Sequence, residues 1–145
     1  MLLKAFLVLG ALGAFVNVGI AWSVLRVEYP TFLLVTNAVD FLPMHQLQES
    51  RIREVIPILF LNLVVTPAIF WIAPADQRVW AGAAMLGLIV TLAWTIGVQI
   101  PTHVRLDRGG FDRELLIRMV RNEWVRFLAA IVQALGYSAL LLKNL

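Results

Sequence analysis

Histidines, carboxylates and arginines at helical spacing are the residues of this chain whose types could do chemistry. His45, Glu49 and Arg53 follow one another at intervals of four residues, which places them on one face of a helix. A histidine and a glutamate at this spacing could bind one metal ion, or the carboxylate could orient the imidazole as a general base. Plain helix pairs have the same spacing, so these alternatives stay open.

His103 stands at the end of a line of polar residues with four-residue steps. The line consists of Thr91, Thr95, Gln99 and His103. We interpret the two threonines as donors of interhelical hydrogen bonds. Pro101 is expected to bend or end this helix, which would take His103 out of the line.

A third polar group precedes and enters the last apolar stretch. Asn122 and Arg126 share one helical face, whereas Glu123 follows the apolar stripe of the same helix. An arginine one turn inside a membrane span must reach the interface or find a carboxylate. We therefore predict that Arg126 pairs with Glu123 or Glu49.

The three groups predict one polar site at a membrane face. His45 would be the general base or a metal ligand and Glu49 its orienting partner, while Asn122, Glu123 and Arg126 would polarise a substrate oxygen. The candidate catalytic residues are therefore His45, Glu49, Asn122, Glu123 and Arg126, and the candidate metal ligands are His45, Glu49 and His103. The identity of any metal or cofactor stays open, with haem held by the two histidines as one alternative.

The composition shows which kind of protein must position these residues. The chain has 145 residues, of which 61% are hydrophobic and 14% charged, against about 45–50% and about 25% in ordinary globular proteins. Its mean hydropathy is +0.84. These values exclude a soluble enzyme, a disordered chain and a nucleic-acid-binding domain. The absence of cysteine excludes disulfides, zinc–cysteine sites, iron–sulfur clusters and thiol catalysis.

Four apolar stretches are long enough to cross a hydrocarbon core, which needs about 20 helical residues. They cover residues 5–25, 55–73, 79–98 and 124–142. The predicted fold class is therefore all-α: a single domain, residues 1–145, that forms a bundle of four transmembrane helices. Residues 31–42 are too few and too polar to span, and we expect them to form an additional interfacial helix between the first two spans.

The charges predict the orientation of this bundle. Residues 26–54 and 99–123 connect the spans on one side. With Arg126 at the start of the fourth span, that side carries nine arginines, against three lysines and arginines on the other. Positive residues favour the cytoplasm. We therefore expect a multi-pass protein of the inner or plasma membrane with both termini outside and its chemistry at the cytoplasmic edge. The second and fourth helices, over residues 44–73 and 112–142, should extend beyond the bilayer.

Two short motifs resemble a known family. Together with the length and the four spans, the sequence Gln99-Ile100-Pro101-Thr102-His103 followed by Asn122-Glu123-Trp124-Val125-Arg126 resembles the anthrone oxygenase-like family of small membrane proteins. The resemblance implies an oxidoreductase or oxygenase that acts on a lipophilic aromatic or quinone-like substrate.

The sequence leaves other functions open. A non-enzymatic accessory subunit of a larger membrane complex is the main alternative, and a haem protein or a transporter are further ones. The expected partners are membrane lipid, a hydrophobic small molecule and a second copy or a larger complex, but no nucleic acid.

Overall fold

Four long helical arms make up the protein in a computed structural model that describes residues 2–144. The first arm consists of α1 (Leu2–Ser23), a π-helical turn (Val24–Glu28) and α2 (Tyr29–Phe32), and the second arm is α3 (Ala38–Ile72). The third arm consists of a 3₁₀ turn (Ala75–Gln77), α4 (Arg78–Trp94), a second π-helical turn (Thr95–Gln99) and α5 (Ile100–Gly109), and the fourth arm is α6 (Arg113–Asn144). The described residues contain no strand.

The arms pack in a ring, each against the arm before it and the arm after it in the chain, and the fourth against the first. The first, third and fourth arms are long and apolar enough to cross a membrane. The second arm meets this criterion only if its two halves count as one span, because it is bent by 45° between Glu54 and Ile56. Pro57 explains the bend, since its ring clashes with the carbonyl of Arg53 and it has no N–H to donate. Three to four helices are thus apolar enough to cross a membrane.

The polar connections between arms are shorter than the sequence predicted. Residues 26–54 and 99–123 are almost entirely helical, and only residues 33–37 and 110–112 connect the arms at that end of the ring. Each connection ends in an N-cap residue. Asn37 Oδ1 accepts the backbone N–H of Asp40 at 2.9 Å, and Asp112 Oδ1 accepts that of Leu115 at 3.0 Å.

The separate interfacial helix predicted over residues 31–42 is not found. The first arm continues to Phe32, and the cap at Asn37 makes Ala38 the first residue of the long second arm. Pro101 does not end the third helix, because the chain stays helical to Gly109. The helical lengths predicted for the second and fourth helices are confirmed, since they cover Ala38–Ile72 and Arg113–Asn144.

The same five-residue pattern occurs in the first and third arms. Val27-Glu28-Tyr29-Pro30-Thr31 and Val98-Gln99-Ile100-Pro101-Thr102 both overlap a π-helical turn. Since proline has no N–H, it cannot make the regular helical bond, and the helix widens just before each proline. In both arms the threonine hydroxyl donates to the valine carbonyl four residues earlier. The first and second halves of the chain thus share a local structure.

The two halves also share one contact between neighbouring arms. In the first half, Gln48 Nε2 donates to Glu28 Oε2 at 2.8 Å. In the second half, Gln99 Nε2 donates to Glu123 Oε2 at 2.9 Å. Glu28 and Gln99 occupy the same position of the repeated pattern, so the acid and the amide have exchanged places between the halves. The two halves thus share a contact between an acid and an amide at this position, with the two side chains exchanged.

Candidate functional site

A continuous series of polar side chains crosses the end of the ring that carries the two polar connections. We call it the polar chain; in order of contact it consists of Asp107, His45, His103, Tyr29, Gln99, Glu123 and Arg126. Three arms contribute the histidines, the tyrosine and the amide, and the fourth contributes Glu123 and Arg126. The π-helical turns end immediately before Tyr29 and at Gln99, so the repeated pattern of the two halves places both residues in this chain.

The two histidines form the centre of the polar chain. His45 Nε2 lies 2.8 Å from His103 Nδ1. The other nitrogen of His45, Nδ1, lies 3.0 Å from Asp107 Oδ1, and the other nitrogen of His103, Nε2, lies 3.0 Å from the hydroxyl of Tyr29. Glu49 Oε1 approaches His103 Nδ1 at 3.5 Å. All four ring nitrogens therefore have a polar neighbour.

Aromatic side chains hold the histidine rings in place. The His45 side chain is fully buried and stacks on Phe41, with ring centroids 5.3 Å apart and planes 25° apart. Phe32 packs against the same imidazole, with ring centroids 5.8 Å apart. The two imidazoles are themselves stacked at 5.0 Å. Since packing and hydrogen bonds together fix both rings, the site is preorganised.

The other end of the polar chain is an ion pair inside the bundle. Arg126 Nη1 donates to Glu123 Oε2 at 3.1 Å, and the Glu123 carboxylate is fully buried. Gln99 donates to the same oxygen and links the pair to Tyr29, whose hydroxyl lies 3.5 Å from Gln99 Oε1. The predicted pairing of Arg126 with Glu123 is thus confirmed.

A cavity of about 390 Å³ lies beside the polar chain, between the four arms. Glu49, His103 and Arg126 line it at the polar end, together with Tyr29 and Gln99. Its walls are apolar and include Ile20, Val24, Ile52, Ile56, Leu59, Leu88 and Leu92. A volume of this size is that of a small-molecule site.

A second group of polar residues lines the cavity farther from the polar chain. It consists of Asn17, Asn62, Thr91 and Gln133, all of them buried. Three atoms of this group, Asn62 Oδ1, Thr91 Oγ1 and Gln133 Oε1, have no hydrogen-bond partner among the described residues. Buried polar atoms without partners are costly. The cavity therefore has polar groups at both ends and apolar walls between them.

The candidate site residues fall into three groups. Glu49, His103 and Arg126 line the cavity, whereas His45 and Glu123 contact lining residues from behind. Asn122 is half-buried and does not line the cavity. It lies one position before Glu123, and the face on which Glu123 points to Gln99 does not include it.

Two predicted partnerships differ in the structure. The carboxylate that orients His45 is Asp107 rather than Glu49, because Glu49 reaches His103 and Arg53 instead. Haem between the two histidines does not fit, since donor nitrogens 2.8 Å apart leave no space for a porphyrin plane.

Sequence reasoning missed Tyr29 and Asp107 and gave no role in the site to Gln99. The repeated five-residue pattern is the signal that could have found Tyr29 and Gln99, since Tyr29 is its third residue in the first half and Gln99 is its second residue in the second half. For Asp107, four residues after His103, the helical spacing was visible, but Pro101 was expected to break the helix there.

Comparison of the chain with protein-family models, with curated proteins and with solved structures finds no match.

Proposed function

We propose that the protein is an integral membrane oxidoreductase of the oxygenase type that acts on a lipophilic aromatic, quinone-like substrate in the cavity. The four arms would be four spans, with both termini outside and the polar chain at the cytoplasmic edge of the inner or plasma membrane. The observation that carries the proposal is the cavity itself, which has apolar walls and buried polar groups at two separate ends.

The two ends are suited to a molecule with oxygen atoms at opposite edges of an aromatic body. Thr91 precedes Gln99 by eight residues, and Arg126 precedes Gln133 by seven. At a rise of 1.5 Å per residue, the two polar levels are about 10–12 Å apart along the helices. Between the two levels the cavity walls are apolar, which suits an aromatic ring system.

The residues at the polar end suit an oxidation that begins with loss of a proton. The pair of His103 and Glu49 supplies the proton acceptor, and the Arg126 guanidinium stabilises the negative charge that develops on a substrate carbonyl. Glu123 and His45 position these two groups. For a ring methylene, the balanced reaction is R₂CH₂ + O₂ → R₂C=O + H₂O, in which dioxygen is the oxidant and both hydrogens leave in water. The resemblance to anthrone oxygenases supports this reaction type.

A groove between the first two arms supports entry of the substrate from the bilayer. It has a volume of about 680 Å³, and Ile20 and Ile52 line both the groove and the cavity. Most of its other walls are apolar. A lipophilic molecule dissolved in the membrane would reach the cavity by displacing these two isoleucine side chains.

Oxygen consumption by the purified protein tests the proposal. An anthrone in detergent solution should be oxidised to the anthraquinone above the uncatalysed rate, with one O₂ consumed per anthrone. His103→Gln should lower kcat by about 10²–10⁴-fold, the usual contribution of a general base. Ser138→Ala is the control, because its hydroxyl bonds the Ala134 carbonyl within its own helix.

Two results would contradict the proposal. The first is anthrone binding without turnover above background. The second is no anthrone binding together with co-purification of a larger membrane protein, which would favour the accessory subunit.

A further inference from the structure

We propose that His45, Glu49 and His103 bind one divalent transition-metal ion. Each residue offers one ligand atom, and these three atoms lie within 4.8 Å of one another. The separations from His103 Nδ1 are 2.8 Å to His45 Nε2 and 3.5 Å to Glu49 Oε1. Ligand atoms that share an ion with bonds of about 2.0–2.2 Å are about 3–3.5 Å apart. The 3.5 Å separation lies in this range and the 2.8 Å separation lies just below it, so a small movement of the side chains would place the three atoms around a common centre.

The hydrogen-bond partner of His45 Nδ1, the ring nitrogen that does not face His103, fits this assignment. Histidines that bind metals almost always donate the N–H of the other ring nitrogen to a carboxylate, a carbonyl or water. In His45, Nδ1–H donates to Asp107 Oδ1 at 3.0 Å. A neutral imidazole has only one N–H, so His45 Nε2 then carries a lone pair directed at His103.

The contacts of Tyr29 allow the corresponding tautomer in the second imidazole. The Gln99 amide nitrogen donates to Glu123, which turns Gln99 Oε1 towards the Tyr29 hydroxyl as an acceptor. When Tyr29 donates to Gln99, its oxygen accepts the Nε2–H of His103 at 3.0 Å. His103 Nδ1 then also carries a lone pair.

Two lone pairs and a carboxylate oxygen thus converge in the interior of the bundle. This tautomer calls for a positive charge between the donors, either a metal ion or a shared proton; if Tyr29 donates to His103 Nε2 instead, His103 Nδ1–H donates to His45 Nε2. A metal ion would use Glu49 as its third ligand, whereas a proton between the imidazoles would have the same carboxylate as its counter-ion at 3.5 Å, and metal binding distinguishes the two. Glu49 is close to His103 although its side chain is 24% exposed and could turn to solvent.

The donor set indicates the class of metal. Two histidines and one carboxylate with open positions are typical of non-haem iron(II), and a His₂Glu set also holds catalytic zinc. Glu49 and His103 line the cavity, whereas His45 is buried behind them. The open positions of the ion would therefore face the proposed substrate. The loaded site would offer a Lewis acid where the free site offers a base.

Cobalt(II) titration of the chelator-treated protein in detergent tests the metal site without any substrate. We expect one cobalt per chain and a visible d–d absorption of a nitrogen- and oxygen-ligated ion. Glu49→Gln should abolish the absorption. Glu54→Gln is the matched control, because Glu54 lies on the same arm, is exposed and pairs with Arg51. Asp107→Asn should weaken cobalt binding by about 10–100-fold without abolishing it.

Three outcomes would overturn the metal site: no cobalt absorption in the folded wild-type protein, equal absorption in Glu49→Gln and wild type, or equal affinities in Asp107→Asn and wild type. The first of these would leave a proton between the histidines. Since the titration uses cobalt alone, failure of anthrone oxidation would not affect it, and failure of cobalt binding would leave the oxidation assay valid.

Discussion

The Glu123 carboxylate has no exposed surface, and two hydrogen-bond donors stabilise its charge inside the bundle. Arg126 and Gln99 both donate to Oε2, while Oε1 has no partner among the described residues. Removal of the cation alone would leave a buried charge without its counter-ion. We therefore expect Arg126→Met to destabilise the protein by about 3–5 kcal/mol, the usual effect of breaking a buried ion pair. Thermal unfolding in detergent measures it.

The double variant Arg126→Met/Glu123→Gln provides the control. It removes both charges and keeps an acceptor for Gln99, so most of the lost stability should return. If the double variant is less stable than Arg126→Met alone, the ion pair is not the reason for the loss.

Tyr137 is the second buried residue whose hydrogen bond can be tested by itself. Its hydroxyl lies 2.8 Å from Thr66 Oγ1, and Gln133 Nε2 donates to the same threonine at 3.4 Å. Interhelical hydrogen bonds in membrane proteins contribute about 0.6–2 kcal/mol each. Tyr137→Phe should therefore lower the free energy of unfolding by about this amount.

Ser138→Ala is the matched control for Tyr137→Phe, because it removes a hydroxyl from the next residue without breaking a contact between arms. Equal losses in the two variants would contradict a specific role of the interhelical bond. Unfolding by a denaturing detergent is a suitable measurement for both.

The residues of the site show what spacing within one helix can predict. Glu123 and Arg126 are three positions apart, and their pairing followed from that local geometry. His45 and Asp107 belong to different arms and are 62 positions apart. Which faces of two arms meet depends on packing around the ring, and residue spacing along one helix carries no information about it.

The π-helical turns are the elements that set the register of the site. Each precedes a proline and inserts one extra residue into its turn. One residue corresponds to about 100° of rotation in an α-helix with 3.6 residues per turn. The position of His103 opposite His45 therefore depends on the turn at Thr95–Gln99.

Pro101→Ala tests this dependence. Alanine restores an N–H that can donate to the Gly97 carbonyl, so the turn can relax to a regular α-helix and rotate His103 away from His45. We expect cobalt affinity to fall by about tenfold or more, which corresponds to about 1.4 kcal/mol. Pro74→Ala, in the short turn at the other end of the third arm, should bind cobalt like the wild type. Unchanged affinity in Pro101→Ala would show that the proline does not set the register.

Close approach of the third and fourth arms depends on two glycines. A Cβ at Gly87 would lie 2.5 Å from the Ala129 carbonyl oxygen, and one at Gly136 would lie 2.7 Å from the backbone nitrogen of Ala84. Backbone atoms cannot move aside as a flexible side chain can. We expect Gly87→Ala and Gly136→Ala each to cost about 1–3 kcal/mol through overpacking.

Gly19→Ala is the control for these glycines, since a Cβ at Gly19 meets nothing within 4 Å. It should be neutral or stabilising, because alanine is the better helix former by about 1 kcal/mol. Thermal unfolding of the three variants gives the comparison. A loss at Gly19 as large as the loss at Gly87 would contradict the steric explanation.

At the scale of elements, the lengths of the apolar stretches predicted the helical arms well. The polar residues predicted poorly where each arm ends. The stretch at 79–98 became part of an arm that reaches Gly109, because the widened turn before Pro101 accommodates the missing N–H. Helix-breaking rules describe the regular α-helix and do not include this accommodation. The extra length of the third arm brings Asp107 to His45.

At the scale of the whole molecule, the polar groups are concentrated at one end of the bundle. Large apolar side chains are exposed around the outside, among them Val64, Leu86 and Leu135. Such a surface would be covered by lipid in a membrane. The polar chain, both polar connections and most of the arginines lie at one end, whereas the turn at Ala75–Gln77 lies at the other.

The orientation of the ring in the membrane can be tested directly because the chain has no cysteine. Asp76 and Arg108 are exposed at opposite ends of the third arm. The charge bias predicts that position 76 faces outwards and position 108 the cytoplasm. In intact cells, a membrane-impermeant maleimide should label Asp76→Cys directly and Arg108→Cys only after permeabilisation. Labelling of both variants from the same side would contradict the spanning of the third arm, and the reverse pattern would place the polar chain at the outer edge.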